Sequence, residues 1–218
     1  MEAGTERWPF ITLEGIDGSG KSTQFVMLVK SLEAQGVPVV GSREPGGTPA
    51  GELLRGLLLD PATSLSAPAE ALLYAAARAE NVARVILPAL LAGRVVVCDR
   101  FVDSSLAYQG RGLGLDLEWV RQVNRGAVQG LRPGLTLLFD IDPAQDLRRS
   151  DAGPAFTPDR IEARGEEFRR RVRRGYLELA AAEPERIKVV RVEGDAGQVH
   201  ARVLGLVQGF LDGFKLGR

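Results

Sequence analysis

The stretch Gly15-Ile16-Asp17-Gly18-Ser19-Gly20-Lys21-Ser22-Thr23 could do phosphate chemistry, because it fills every fixed position of G-x-x-x-x-G-K-[ST]. Glycines let the backbone curl so that successive N–H groups point into one concavity and approach phosphate oxygens with no Cβ in the way. A helix N-terminus behind the loop adds unpaired donors and partial positive charge. Lys21 has the reach for the β- and γ-phosphates of a nucleoside triphosphate, and the Ser22 hydroxyl can ligate Mg²⁺. Such a loop works only between a strand and a helix, and both patterns flank it. Phe-Ile-Thr-Leu-Glu over 10–14 reads as a strand, and the run from Gln24 to Gln35 reads as a helix that Gly36 stops.

A second set of residues suits the chemistry of a phosphate-loop enzyme. Asp99-Arg100 follows the apolar run Val95-Val96-Val97-Cys98. An aspartate at the end of a buried strand can hold the Mg²⁺ shell, and the adjacent arginine can clamp a phosphate bidentately. A structural ion pair is the alternative. Arg55, Arg78 and Arg100 come from three different elements; each is either a solvated surface arginine or one of the several cations with which a phosphoryl-transfer enzyme holds a phosphorylated acceptor. Tyr74 and Arg78 are four apart and share a helix face, so Tyr74 is either a base-stacking ring or a core aromatic. The basic run Arg169-Arg170-Arg171, Arg173-Arg174 lies among glutamates and reads as a solvated helix face laced by salt bridges.

The elements alternate. Strands are expected at 37–40, 95–98, 135–140 and 187–190 besides 10–14, and helices at 51–59, 68–91, 117–128, 142–149, 160–182 and 196–214. This is the βαβ pattern of a parallel sheet covered on both faces. The loop Arg43-Glu44-Pro45-Gly46-Gly47-Thr48 falls at a strand's carboxyl end, where doubly wound sheets place their ligands. The nine residues 150–158 read as a polar Gly/Pro-containing loop.

Bulk properties remove other function classes. A formal net charge of +0 argues against general nucleic-acid binding. A single cysteine, Cys98, precludes an intramolecular disulfide and suits a reducing compartment. The start of the chain is polar and no apolar run reaches membrane-spanning length, so a cytoplasmic location is expected. His200 is the only histidine, which leaves no scope for histidine-based acid–base or metal chemistry.

Taken together, four motifs make the chain resemble the bacterial thymidylate kinase family over about 10–214. They are Glu14 through Gln24; Arg43-Glu44-Pro45-Gly46-Gly47-Thr48; Asp99-Arg100-Phe101 with Asp103-Ser104-Ser105-Leu106-Ala107-Tyr108-Gln109-Gly110; and Asp159-Arg160-Ile161-Glu162. The resemblance implies a doubly wound five-stranded parallel sheet of the P-loop NTPase fold, forming one domain over 1–218 with a short lid at about 148–160. It implies transfer of the ATP γ-phosphoryl group to dTMP with Mg²⁺, giving dTDP and ADP on the way to dTTP, by a homodimer. It further implies that Asp17 helps place the acceptor near its 3′-hydroxyl, and that Arg55 and Arg100 hold the dTMP phosphate. Tyr74 stacks on thymine where phenylalanine is usual, and Arg78, Ser105 and Gln109 read the base edge. Tyr108 packs at the sugar 2′ carbon, and Glu44 lies near the metal and acceptor phosphate. With no arginine at Gly18, the transition-state arginine is expected from the lid. Arg148, Arg149 and Arg160 are the candidates there, with Arg149 preferred. Phe101 stands where tyrosine is common. A different nucleoside or nucleoside-monophosphate kinase is the nearest rival. A nucleotide-dependent switch is the other, although neither Asn81 nor Asn124 begins an Asn-Lys-x-Asp guanine motif.

Overall fold

A computed structural model describes residues 8–145 and 159–214. Five parallel strands form one sheet in the order β2-β3-β1-β4-β5. They are β1 (Phe10–Glu14), β2 (Val39–Arg43), β3 (Val95–Asp99), β4 (Leu135–Asp140) and β5 (Ile187–Arg191). β1 is central, between β3 and β4, with all five residues buried. That is why Phe10, Ile11 and Leu13 put apolar side chains on both faces of the strand rather than alternating with solvated ones. Its two polar members are each satisfied: the Thr12 and Thr136 hydroxyls share a bond of 2.8 Å across β1 and β4, and Glu14 sits among donors. The expected doubly wound parallel sheet is the one observed.

Helices cover both faces. On one side α1 (Lys21–Ala34) and α8 (Ala196–Leu211) enclose Leu28, Leu32, Val203 and Val207 against Leu13, Val97 and Leu137. On the other, α3 (Ala67–Asn81), α6 (Leu117–Val128) and α7 (Gly165–Ala182) pack with the segment 102–112. α2 (Pro49–Leu59) is capped by Thr48, whose hydroxyl accepts from Gly51 N, with Pro49 in the first turn.

Four elements differ from the sequence reading. β2 begins two residues later, at Val39, and runs on through Arg43, because its edge pairs with β3 as far as Asp99. The long helix expected over 68–91 is interrupted. α3 passes into a π-helical segment, Val82–Ile86, and then into α4, Leu87–Leu91. Pro88 has no N–H for the Arg84 carbonyl and crowds it, so the ring of hydrogen bonds widens ahead of it. The helix expected from 160 begins at Gly165, whose φ of 82° follows a 3₁₀ turn at Glu162–Arg164. The helix expected over 142–149 opens as a 3₁₀ turn at Pro143–Gln145, and its remainder lies outside the described residues. Two of the five arginines in the basic run also depart from a solvated face. Arg170 and Arg171 pair with Glu166 and Glu167, but Arg169 is buried, donating to Pro143 O at 3.1 Å. Arg173 is bidentate on Asp140 at 2.7 and 3.0 Å.

A buried ion pair ties α5 (Val102–Ser105) to the sheet. Arg186 donates from both terminal nitrogens to Asp103, at 2.7 and 2.9 Å, and the Thr136 hydroxyl accepts from the same guanidinium at 2.8 Å. The two side chains are 12% and 6% exposed, and Arg186 Nε also reaches Glu183, so loss of Asp103 leaves that guanidinium one of its two carboxylates. Asp103→Ala is expected to lower the unfolding free energy by about 1.5–3 kcal/mol in urea melts, the worth of hydrogen bonds to a charged group. A loss below about 1 kcal/mol would show that this pair does not anchor the segment.

Candidate functional site

The glycine loop leaves β1 at Glu14 and enters α1 at Lys21. Gly15, Gly18 and Gly20 have φ of 141°, 83° and 80°, a region that residues with a Cβ rarely adopt. At Gly15 a Cβ would also stand 2.5 Å from the Phe139 carbonyl oxygen. α1 has no side-chain cap on its first N–H groups, which remain available to an anion. Lys21 is buried, and its ammonium donates to Ile16 O at 3.2 Å. Burial, then the nearby Arg100 charge, lowers its pKa to about 8, while Asp99, Asp17 and Glu14 pull the other way. Among the described residues, the Ser19 hydroxyl and Asp99 Oδ1 are buried without hydrogen-bond partners. Ser22, on the first turn of α1, is exposed, as is Thr23.

Arg100 follows β3 with a φ of 71°, a left-handed conformation. Its own N–H donates to Leu13 O at 2.9 Å, and the next, Phe101 N–H, donates to Glu14 Oε1 at 2.7 Å. Its guanidinium gives Nη1 to Gly15 O (2.9 Å), Ser104 Oγ (3.3 Å) and Tyr176 Oη (3.2 Å). Nη2 goes to Asp17 Oδ1 (2.5 Å) and Tyr108 Oη (3.3 Å). Glu14 Oε2 accepts from Ser104 Oγ at 2.5 Å and Tyr176 Oη at 2.9 Å. Burial, with Asp103 nearby, pushes Glu14 up to about 7, against the hydrogen bonds and the Arg100 charge.

A cleft of about 500 Å³ adjoins this cluster. The glycine loop contributes Asp17, the 43–48 loop Glu44 and Pro45, and α2 Arg55 and Leu59. Tyr74 comes from α3, and Arg100, Ser105, Tyr108 and Gln109 from the segment after β3. Sequence reasoning singled out eight of these lining residues: Asp17, Glu44, Arg55, Tyr74, Arg100, Ser105, Tyr108 and Gln109. Arg55 gives one hydrogen bond among the described residues, Nη1 to Pro45 O at 3.0 Å, so most of its donors are uncommitted there. Tyr74 is pushed up by burial, with Glu70 adding to the effect, and stays a neutral phenol.

Arg78 is not on the cleft wall. It is 1% exposed and fully engaged: Nε to Glu44 (2.7 Å), Nη1 to Ser105 (2.9 Å) and to Asn124, and Nη2 to Phe101 O (2.9 Å). Glu44 is raised by burial, with Arg78 and Asn81 opposing. Arg160 is committed elsewhere, with Nε on Leu58 O at 2.8 Å and Nη1 on Glu70 at 2.7 Å. Arg148, Arg149 and the 150–158 loop lie outside the described residues. His200 shares a 2.8 Å hydrogen bond with Ser31 on the far helices, and burial lowers its pKa.

Sequence reasoning missed Glu14, Ser104 and Tyr176 as holders of Arg100, and Glu70 with Arg164. A signal existed for Glu70: it precedes Tyr74 by four residues and Arg78 by eight, on one helix face. Tyr176 carried none, since its partners are 72 and 162 residues away.

Known proteins agree with this geometry. The family model described as thymidylate kinase matches residues 13–203. A thymidylate kinase of Pelotomaculum thermopropionicum is 52% identical over 209 residues, covering 95% of this chain and 96% of the relative. One from Deinococcus radiodurans is 48% identical, with 91% and 95% covered. A crystal structure of thymidylate kinase from Ehrlichia chaffeensis superposes with a TM-score of 0.74 at 37% identity, covering 91% of this chain and 97% of that one. With the phosphate loop, the pinned Arg100 and the flanking cleft in one place, the chain belongs to the thymidylate kinase family, ATP-dependent nucleoside-monophosphate kinases.

Proposed function

We propose that this enzyme transfers the γ-phosphoryl group of ATP to dTMP, giving dTDP and ADP for dTTP synthesis. One observation carries the reading. The cleft beside the phosphate loop is lined both by arginines suited to a phosphate, Arg55 and Arg100, and by groups suited to a base, Tyr74, Ser105 and Gln109. ATP phosphates bind Gly15 to Thr23, with Lys21 turning from Ile16 O to the phosphates. The acceptor phosphate takes donors from Arg55 and Arg100, competing with Asp17 for the outer edge of Arg100. Tyr74 stacks on the base, Gln109 and Ser105 read its edge with Arg78 behind Ser105, and Tyr108 closes the sugar side. Glu44 fixes Arg78 beside the acceptor.

A dTMP phosphate is already ionised at neutral pH, so the chain needs no strong general base. Positioning and charge neutralisation suffice. The donors present fit Mg²⁺: Asp99 Oδ1 is a buried carboxylate oxygen with no hydrogen bond among the described residues, and Ser22 is in the first turn of α1. Mg²⁺ there would neutralise phosphate charge. Arg149 is the proposed transition-state cation, since Arg160 is engaged with Glu70. Cytoplasmic residence follows from the substrates, and no described helix is long and apolar enough to cross a membrane.

A homodimer is part of this reading. α2 and α3 pack on one another and leave Leu53 79% and Leu72 52% exposed, two apolar side chains that a second subunit would cover. Leu53→Glu with Leu72→Glu is expected to shift light-scattering mass from two chains to one. A wild type already of single-chain mass would refute the dimer.

A coupled ADP-release assay over dTMP, dUMP, dCMP, dGMP and thymidine tests the activity. dTMP-dependent release is expected, and Lys21→Ala should reduce it by at least about 10²-fold. Near-normal turnover in that variant, or release that ignores dTMP, contradicts the proposal. The lowered Lys21 pKa of about 8 gives a pH dependence. Bound triphosphate favours the protonated amine, so above about pH 8 binding must take up a proton and weakens as pH rises. Calorimetry in buffers of different ionisation enthalpy is expected to show proton uptake at pH 8.5–9. A dissociation constant flat from pH 7 to 9 would exclude this linkage.

A further inference from the structure

Glu70 lies on α3 with no exposed surface, facing donors from two later parts of the chain. Gln109 Nε2 donates to Oε1 at 3.0 Å. Arg164 Nη1 donates to Oε1 at 3.1 Å, its Nη2 reaches Oε2, and Arg160 Nη1 stands 2.7 Å from Oε2. Burial pushes the Glu70 carboxyl up, but the hydrogen bonds from Arg164 and Gln109 and the Arg164 charge outweigh it and hold it below the usual range. Glu70 is therefore a carboxylate at neutral pH, and a carboxylate only accepts.

That fixes the Gln109 amide. With an ionised acceptor on one side, Nε2 must face Glu70, which assigns the oxygen end without ambiguity. Gln109 also lines the cleft, and among the described residues nothing donates to its Oε1. The amide edge left over is one acceptor, Oε1, beside the second N–H of Nε2, in a single order. Reversed, the oxygen would meet the Glu70 carboxylate in a buried place, losing a charge-assisted hydrogen bond and setting like charges together.

We propose that Glu70 is a positioning residue for base selectivity, locking the Gln109 carboxamide in the order that matches an imide and rejects cytosine. The inference rests on the functional reading above. Thymine and uracil offer an N3–H donor beside a carbonyl, the complement of the locked amide. Cytosine offers an N3 acceptor beside an amino donor, the complement of the flipped one. A glutamine with neutral neighbours flips to suit either base, so the discrimination resides in the Glu70 charge. Arg160 and Arg164 keep that charge in place, and they reach it from the segment that follows the 146–158 stretch.

The test is kcat/KM for dTMP and dCMP in the wild type, in Glu70→Gln, which can donate or accept, and in Glu70→Asp. The aspartate keeps a carboxylate for the arginines but draws it back from Gln109, and it serves if the neutral variant does not fold. The dTMP/dCMP ratio is expected to fall about 10- to 100-fold in each folded variant, the worth of one hydrogen bond to a charged group. A structural role alone would lower both substrates together and leave the ratio unmoved. That result in a folded variant overturns the inference while the functional reading stands. A wild type without dTMP activity brings down the functional reading, and the inference with it.

Discussion

Arg100 is held in a backbone conformation that costs a non-glycine residue about 1–2 kcal/mol, and a buried carboxylate keeps it there. Glu14, the last residue of the central strand, accepts the Phe101 N–H with one oxygen and the Ser104 and Tyr176 hydroxyls with the other. Those two hydroxyls then accept from the Arg100 guanidinium. Main chain and side chain are thus fixed by one group. Strain of this kind persists only where the surroundings over-determine it, and here β1, β3, α5 and α7 all contribute. The consequence is that Arg100 is positioned by the sheet itself rather than by a flexible loop.

The same carboxylate explains why the phosphate loop and the cleft are one site. Glu14 ends the strand from which the glycine loop departs, so the loop's turn and the arginine's turn share an origin. Gly15 O accepts from Arg100, and Asp17 on the loop takes its outer edge. In the proposed reading, this refers donor and acceptor phosphates to a common frame, as in-line transfer needs. Buried polar groups elsewhere serve the same end. Arg78 donates from all three guanidinium nitrogens, to Glu44, Ser105, Asn124 and Phe101 O, locking α3 and α6 to the cleft-forming segments. Half-satisfied, such a network would cost more than it stabilises.

Much of this was legible in the sequence because the signals are local. Phe10–Glu14, Leu117–Val128 and Leu135–Asp140 fall where period and flanking residues place them. The phosphate loop announces itself through spacing, and Asp99-Arg100 through its position after an apolar run. What stayed hidden depends on distant partners. Tyr176 meets Glu14 across 162 residues, and Glu70 meets Arg164 across 94. No local pattern encodes such pairings. The π-helical Val82–Ile86 was missed for a different reason, since periodicity reads straight through a proline-induced widening. Arg169 shows the opposite error: a charge run looks solvated, yet one of its members is buried.

In the proposed reading, a rigidly held Arg100, with Arg55, makes the cleft a phosphate-recognising acceptor site. Calorimetric titration of the wild type with dTMP and with thymidine tests it most directly. The two ligands differ only in the phosphate those arginines are argued to hold. dTMP is expected to bind at least about tenfold more tightly, the worth of one or more charge-assisted hydrogen bonds. Equal affinities would mean that the arginines serve the fold and not the acceptor, and the account would fail at its centre.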